Sequence, residues 1–131
     1  MKSQILSNIK LLSKRLSLII AGVLLVIGGF LANTQAVAAE TYTVKMGSDS
    51  GQLVFEPKEI KIKAGDTVKW LNNKAFPHNV IFEGYPELSH KKLLLKPNLG
   101  AESTFAEVGE YRYFCTPHRG AGMVGKVIVE G

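Results

Sequence analysis

The sequence contains a single cysteine, Cys115, among its 131 residues. A lone cysteine excludes an intramolecular disulfide framework, which small exported domains often use. The chain is long enough for one domain and a processing segment, and too short for two ordinary domains. The domain must therefore rely on one modest hydrophobic core.

Acidic residues are absent from the first 39 positions. The charged residues of this segment are Lys2, Lys10, Lys14 and Arg15. An almost wholly apolar run over 16–32 follows, and small residues occupy 36–39, as is typical of a secretory signal peptide. We predict removal of residues 1–39 by cleavage after Ala39, with cleavage after Ala38 as the alternative. A retained membrane anchor is the other interpretation, because about 17 apolar residues approach the length that spans a bilayer.

Excess charge of either sign is also scarce once that segment is removed. The whole chain has 16 basic and 11 acidic residues. All the acidic residues but only 12 of the basic ones lie in residues 40–131, the predicted domain. Nucleic-acid binding requires a clustered basic surface, so it is not predicted for this domain.

Residues 40–131 lack any helical period longer than about two turns. Short alternating runs, such as 42–46 and 59–63, are separated by Gly, Pro and Asn, which is the pattern of strands and turns. Seven or eight such runs in about 90 residues predict an antiparallel β-sandwich. Only 86–92 has room for a few residues of helix. The candidate aromatic core consists of Phe55, Trp70, Phe82, Phe105, Tyr111 and Tyr113.

The candidate functional residues cluster near the C-terminus. One loop between two predicted strands contains Cys115, His118 and Met123, so thiolate, imidazole and thioether can point at one centre. The second imidazole, His78, lies on an earlier strand. Two His, one Cys and a weak axial Met form the ligand set of a blue-copper electron-transfer site. We predict one copper ion (Cu⁺/Cu²⁺) there, which also explains an unpaired thiol in an oxidising compartment.

Each donor type has a physical reason in such a site. Copper(I) favours soft sulfur, whereas copper(II) favours nitrogen, so a mixed site minimises movement when an electron arrives. Asn79 follows a candidate ligand, and its backbone N–H or side chain could brace the cysteine loop and bond the sulfur. Pro117 lacks an N–H and cannot donate a second such bond.

Other functions of these residues are possible. Cys115 and His118 could be the nucleophile and base of a thiol hydrolase, but that reaction has no use for His78 or Met123. Structural zinc rarely takes methionine and would require a fourth strong donor. The third histidine, His90, lies in a Lys-rich polar segment, and we predict that it is exposed and binds no metal.

Three segments carry a family resemblance. They are 115–126 (CTPHRGAGMVGK), 72–79 (NNKAFPHN) and 44–51 (VKMGSDSG). They resemble the plastocyanin family of cupredoxins, and within it the cyanobacterial forms, over nearly all of residues 40–131. The spacings from cysteine to histidine and from histidine to methionine match this family. Azurins have a longer first gap, and amicyanins have a shorter second one.

The resemblance implies a fold and a function. The fold is an eight-stranded, antiparallel Greek-key β-sandwich of the cupredoxin type with copper near one end. The function is that of a mobile type 1 (blue) copper carrier, not an enzyme. The carrier accepts an electron from cytochrome f of the cytochrome bf complex and donates it to photosystem I in photosynthetic electron transport. The expected location is the thylakoid lumen, where the monomer is peripheral to the membrane.

The resemblance also implies partner-docking residues. The apolar patch around the edge of His118 is expected to consist of Leu53, Ala75, Pro77, Gly120 and Ala121. Arg119 resembles the cyanobacterial arginine that lies beside this patch and meets negative groups of the partners. A small, flat patch suits weak partners that exchange quickly.

The residue before the cysteine departs from the family pattern. It is usually tyrosine and marks a second contact region, whereas this chain has Phe114. Strand alternation predicts that Phe114 points outward and Tyr113 points inward. The aromatic surface is therefore kept, but its hydroxyl is lost.

The segment 83–92 also departs from the plant members of the family. Its only acidic residues, Glu83 and Glu87, are offset by Lys91 and Lys92, so a dense acidic patch is absent. We therefore predict that the salt dependence of cytochrome f binding is weaker than in the plant forms, or of the opposite sign. Two other functions stay open, namely electron delivery to a terminal oxidase or another periplasmic acceptor, and copper storage or delivery. A storage or delivery protein would hand its copper to an acceptor, whereas a carrier keeps it in both oxidation states.

Overall fold

The computed structural model describes Gln4, Asn8, Lys10 and residues 36–131. The chain divides into two compact units, Met1–Ala38 and Ala39–Gly131. Most of the predicted signal peptide, residues 1–39, lies outside the described residues, so its removal stays a prediction. Within the part that is described, no helix is long and apolar enough to cross a bilayer.

Unit Ala39–Gly131 consists of strands and one short 3₁₀ helix. In chain order the strands are β1 (Thr41–Met46), β2 (Phe55–Glu56), β3 (Glu59–Lys63), β4 (Thr67–Asn72), β5 (His78–Phe82), β6 (His90–Leu94), β7 (Gly100–Thr104), β8 (Gly109–Phe114) and β9 (Val124–Glu130). The 3₁₀ helix, Thr116–Ala121, connects β8 to β9.

The strands form two sheets, ordered β2-β1-β4-β7 and β3-β9-β8-β5-β6. This arrangement confirms the predicted all-β sandwich. Most neighbours are antiparallel, but β1 pairs with β4 and β3 pairs with β9 in parallel. Parallel neighbours require a crossover connection, and the chain between β1 and β4 passes through β3 in the other sheet. The sequence predicted an antiparallel sandwich of eight strands, whereas the unit Ala39–Gly131 has nine strands and two parallel pairings. Alternation along a strand shows which residues face the core but does not encode crossovers between strands.

The core lies between the two sheets. Alternate residues of β1 and β4 face it, including Val44, Met46, Val68 and Trp70, all of which are fully buried. All six aromatic candidates are buried. The Trp70 ring packs edge-on against Tyr113 and Phe82, with centroids 5.4 and 5.7 Å apart, a favourable geometry for aromatic pairs.

The segment 86–92 contains no helix, so that expectation is wrong. Residues 86–88 form a turn, and β6 begins at His90. The Ser89 hydroxyl accepts from the Phe82 N–H at 2.8 Å and donates to the Tyr85 carbonyl at 2.9 Å. These bonds close the turn and direct the chain into pairing with β5.

Candidate metal centre

Three donor atoms converge at one end of the sandwich. His78 is the first residue of β5, Cys115 directly follows β8, and His118 lies in the 3₁₀ helix. The Cys115 Sγ lies 3.6 Å from Nδ1 of His78 and 3.5 Å from Nδ1 of His118. The two Nδ1 atoms are 3.2 Å apart. Among the described residues, these three form the one group of His, Cys and carboxylate donors close enough to hold a metal ion.

The spacing and chemistry of these donors fit a first-row transition metal. Bonds from such a metal to imidazole nitrogen and thiolate sulfur are about 2.0–2.3 Å long, as for zinc, so donors sharing one ion lie roughly 3–4 Å apart. The soft sulfur beside two nitrogens suits copper in both of its oxidation states. The group contains no carboxylate, the donor preferred by magnesium or calcium.

The loop that contains Cys115, His118 and Met123 is closed by its own backbone. The Cys115 N–H donates to the Met123 carbonyl, and the Met123 N–H donates to the His118 carbonyl, both at 3.1 Å. The His118 N–H donates to the Cys115 carbonyl at 3.2 Å. Met123 is fully buried, as are Cys115 and His78. Three of the four predicted ligands are therefore held in one short loop with its own backbone bonds, and the fourth, His78, is held on β5.

Asn79 ties this loop to the neighbouring strands. Its Oδ1 accepts from the Thr116 N–H at 2.7 Å, and its Nδ2 lies 3.1 Å from the Thr116 hydroxyl. The same Nδ2 donates to the Lys91 carbonyl of β6 at 3.2 Å, where the pairing of β5 with β6 is irregular. Asn79 is itself buried. One amide therefore connects β5, β6 and the residue that follows the cysteine.

Burial controls the protonation of the donors. Burial, with a smaller contribution from His118, lowers the pKa of His78 to about 4. His78 is therefore neutral at physiological pH, and its ring can offer a lone pair to a metal. Burial raises the pKa of the Cys115 thiol, although the backbone N–H groups of Asn79 and His118 act in the opposite direction. A bound cation would favour the thiolate, which is the form that binds metals.

His118 is the donor residue that reaches the surface. It is partly exposed, whereas His78 and Cys115 are fully buried. Of the predicted patch, Leu53 and Pro77 are partly exposed, and Ala75, Gly120 and Ala121 are exposed. Phe76 is 45 % exposed beside Pro77, an apolar residue that the sequence prediction omitted.

Arg119 is held against two neighbours. Its guanidinium carbon lies 4.0 Å from the centre of the Phe114 ring, within cation–π distance. Its Nη2 donates to Oε1 of Glu83 at 2.5 Å. Phe114 is partly exposed and Tyr113 is buried, as alternation predicted. Pro117, the remaining predicted site residue, is exposed at the start of the 3₁₀ helix.

His90 is neither fully exposed nor alone, which corrects the prediction. It is partly buried, and its Nε2 lies 2.8 Å from the Ser103 hydroxyl, which donates to the Leu88 carbonyl at 2.8 Å. The sequence analysis also missed Thr116 and Glu83 as partners of Asn79 and Arg119. The partners of these side chains lie 13 to 37 residues away, and no local pattern encodes such pairs.

Comparison with known proteins identifies relatives of the chain. Residues 42–130 match the sequence model of a family described as "Copper binding proteins, plastocyanin/azurin family". A plastocyanin from Synechococcus sp. (strain JA-2-3B'a(2-13)) is 54 % identical over 92 % of this chain and 96 % of its own length. A plastocyanin from Nostoc punctiforme (strain ATCC 29133 / PCC 73102) is 46 % identical, over 90 % and 94 % respectively. The oxidised form of plastocyanin from Dryopteris crassirhizoma superposes with a TM-score of 0.61 at 27 % identity, covering 68 % of this chain and all of that one.

Proposed function

Because this chain belongs to the plastocyanin/azurin family of copper-binding proteins, we propose that it is a mobile carrier of single electrons. Its cofactor is one type 1 copper ion, which supplies the Cu⁺/Cu²⁺ couple when bound. The proposed ligands are His78, Cys115, His118 and, more weakly, Met123. The carrier accepts and donates one electron, and no bond is made or broken in a substrate.

The observation that carries this proposal is the convergence of two imidazole Nδ1 atoms and one thiol within 3.2–3.6 Å. The site is buried on one side and accessible through one ring, that of His118. A hydrolase nucleophile would require a substrate cavity at Cys115. Cys115 is instead fully buried, and it lines neither the surface cavity beside Phe114 and Arg119 nor the one beside Tyr85 and Tyr111.

The protein's own residues perform two tasks in this function. The bonded loop 115–123 and the Asn79 brace hold the donors in place, so that little rearrangement accompanies a change of charge. The exposed edge of His118 gives an electron a short route to a partner seated on the apolar patch. Burial of Cys115 and His78 keeps water from the donors.

We further propose that the donor is cytochrome f and the acceptor is photosystem I, and that the carrier acts in the thylakoid lumen as a monomer. The support is similarity to plastocyanins and a small apolar surface around His118. Small interfaces favour weak, short-lived complexes, as a shuttle requires. Arg119 beside the patch suits a negatively charged group on the partner.

The metal centre is tested by visible spectroscopy of residues 40–131. One equivalent of copper(II) should give an intense blue thiolate-to-copper band that bleaches with ascorbate and returns on oxidation. Cys115→Ser should abolish the band, whereas His90→Gln, which changes the third histidine, should leave it unchanged. A colourless protein whose thiol oxidises instead would remove the copper-carrier proposal. Loss of copper to an acceptor in either oxidation state would favour a delivery protein.

The partner surface is tested by electron-transfer kinetics with cytochrome f and with photosystem I. Ala121→Glu places a charge in the apolar patch and should lower the second-order rate constants by about tenfold or more. Val108→Glu is the matched control, because Val108 is 63 % exposed and precedes β8, at the end opposite Cys115. Equal effects of the two variants would contradict docking at this patch.

A further inference from the structure

The backbone of Glu40 is bound to the turn between β3 and β4. Its N–H donates to Oδ1 of Asp66 at 2.9 Å, and its carbonyl accepts from the Thr67 N–H at 2.9 Å. Its side-chain Oε2 accepts from the Tyr42 hydroxyl at 2.7 Å. Glu40 therefore has a defined place in the domain, although it precedes the first strand.

Asp66 is a buried carboxylate whose second oxygen is also occupied. It is only 5 % exposed, and its Oδ2 accepts from the Lys63 N–H at 2.9 Å. Its own N–H and carbonyl are bonded to the Lys63 carbonyl and the Phe105 N–H. The N–H groups of Glu40 and Lys63 hold the pKa of Asp66 below its ordinary value, so the carboxylate is charged at neutral pH.

The side-chain charge that favours this buried carboxylate is that of Lys63, which lies too far from it to form an ion pair. Within residues 36–131, the ion pairs involve other carboxylates, and none includes Asp66. A buried carboxylate is costly unless a cation or several hydrogen bonds compensate for it. The nitrogen that reaches it from outside its own turn belongs to Glu40, the first residue after the predicted cleavage point.

We propose that Asp66 is the receptor for the N-terminal ammonium group of the processed protein, and that processing occurs between Ala39 and Glu40. Hydrolysis of this peptide bond by a signal peptidase adds one water, leaving a carboxylate on Ala39 and an ammonium group on Glu40. A neutral amide–carboxylate bond thereby becomes an ion pair. Cleavage after Ala38 would move the ammonium group one residue away, about 3.8 Å along the chain.

The ion pair gives the processed domain a specific pH dependence. Contact with Asp66 raises the α-amine pKa above its ordinary range of about 7.7–8.0. The added stability is therefore complete below that range and is lost as the pH rises through the folded-state pKa. The other titratable or charged groups nearby are Glu40, Lys63 and Tyr42. The bond to Glu40 raises the pKa of Tyr42 above its ordinary value, so Tyr42 does not titrate together with the α-amine.

The first test uses the full chain exported by a bacterial host. Mass spectrometry of the processed protein should give a chain that begins at Glu40. A chain that begins at Ala39, or one that keeps its leader, would overturn the assigned processing site. This result does not depend on copper, so the proposed function can fail or hold independently.

The second test compares copper-free domains that begin at Glu40 and at Ala39, since Ala39–Gly131 is a separate compact unit. Both contain an α-ammonium group, and only its position differs. At pH 7 the unfolding equilibrium constant should be about fivefold lower for the Glu40 form than for the Ala39 form. In the Glu40 form an ammonium group donates to Asp66, whereas in the Ala39 form a neutral amide N–H does so. The difference should shrink by pH 9.5 and disappear with Asp66→Asn. Equal stability of the two forms at every pH would overturn the ion pair.

An NMR titration of the α-amino group keeps the proposal testable if the Asp66→Asn domain fails to fold. The Glu40 form should show an α-amine pKa clearly above 8, and the Ala39 form should show an ordinary value. An ordinary value in both forms would contradict the proposal.

Discussion

Pro117 limits the number of donors that face the sulfur of Cys115. The backbone N–H groups of Asn79 and His118 oppose the effect of burial on this thiol, and Pro117 between Thr116 and His118 has no N–H to add. Hydrogen bonds to a coordinating sulfur tune the reduction potential of such a site. The residue is exposed at the start of the 3₁₀ helix, so its replacement leaves the core untouched.

Pro117→Ala should raise the reduction potential. A new N–H would favour the reduced state, in which the sulfur holds more negative charge. A difference of about 1 kcal/mol between the two states corresponds to roughly 40 mV for one electron. Redox titration of the blue band measures it, with Pro97→Ala at an exposed turn as the control. An unchanged or lower potential would count against this account of Pro117.

The Glu83–Arg119 pair sets the charge that a docking partner meets. Both side chains are more than half exposed, so water screens the pair and it adds little to stability. If Arg119 meets a partner as proposed, the pair acts in recognition, because Glu83 neutralises the guanidinium that stacks on Phe114. A negatively charged partner group has to compete with Glu83 for Arg119.

Glu83→Gln should increase the rate of association with a negatively charged partner site by a few-fold at low salt. Glu87→Gln makes the same charge change at an exposed position of the same segment, so it controls for net charge. Stopped-flow or flash kinetics at two salt concentrations measure both variants. Identical gains in the two variants would show that only net charge matters.

At the scale of elements, Asn72 connects the end of β4 to the segments around the metal centre. It is fully buried, and its Nδ2 donates to the Phe76 carbonyl at 3.1 Å and to the Leu94 carbonyl of β6 at 2.9 Å. Its backbone N–H donates to the Leu99 carbonyl, and its carbonyl accepts from the Asn98 N–H. The loop that leads to His78 is thereby held to both sheets.

Asn72→Ala should lower the free energy of unfolding by about 1–3 kcal/mol, because the carbonyl groups of Phe76 and Leu94 lose the donor that the fully buried Asn72 amide gives them. Asn72→Asp should cost more, since a carboxylate would face those same carbonyls. Asn73→Ala is the matched control. The Nδ2 of Asn73 donates to the Gly47 carbonyl and to Oδ1 of Asp49, and because Asn73 is partly exposed, water can replace it as the donor. Urea unfolding measures the three variants, and a larger loss for Asn73→Ala would refute this role of Asn72.

At the scale of the whole molecule, charge is nearly balanced once residues 1–39 are excluded. The remaining 12 basic and 11 acidic residues give no strong field of one sign. Lys91 and Lys92 are exposed on β6, at one edge of the five-stranded sheet, and Lys61 and Lys63 are exposed on β3 at the other edge. Long-range steering of partners should therefore be modest.

The rate of reaction with cytochrome f should change by less than about tenfold between low salt and 0.2 M salt. Lys91→Glu combined with Lys92→Glu should make this dependence steeper by building an acidic surface on β6. Lys61→Glu combined with Lys63→Glu makes the same change of net charge on β3 and should have a smaller effect. A steep loss of rate on adding salt to the unmodified protein would contradict the prediction.

The chemistry of the site and the class of fold could be predicted from the sequence alone. Cys115, His118 and Met123 lie in one short loop, so the chain itself keeps them close together. The single cysteine has no disulfide partner, which indicated a metal ligand. Alternation with period two and frequent turn residues indicated strands, because side chains on a strand face opposite sides. Both the ligand spacing and the alternation depend on residues close together in the chain, so they can be recognised in the sequence without a structure.

Only the tertiary structure decided which strands pair and which side chains bond when the partners are far apart in the sequence. Several contacts join residues that are 26 to 37 positions apart in the chain. They are the pairing of β1 with β4, the hydrogen bonds of Asn79 to Thr116 and of Arg119 to Glu83, and the hydrogen bond of Glu40 to Asp66. Many polar residues could satisfy one another in a folded chain, and packing between the two sheets selects which of them meet. Periodicity and spacing record which face a residue occupies, whereas its partner depends on how the whole chain is folded.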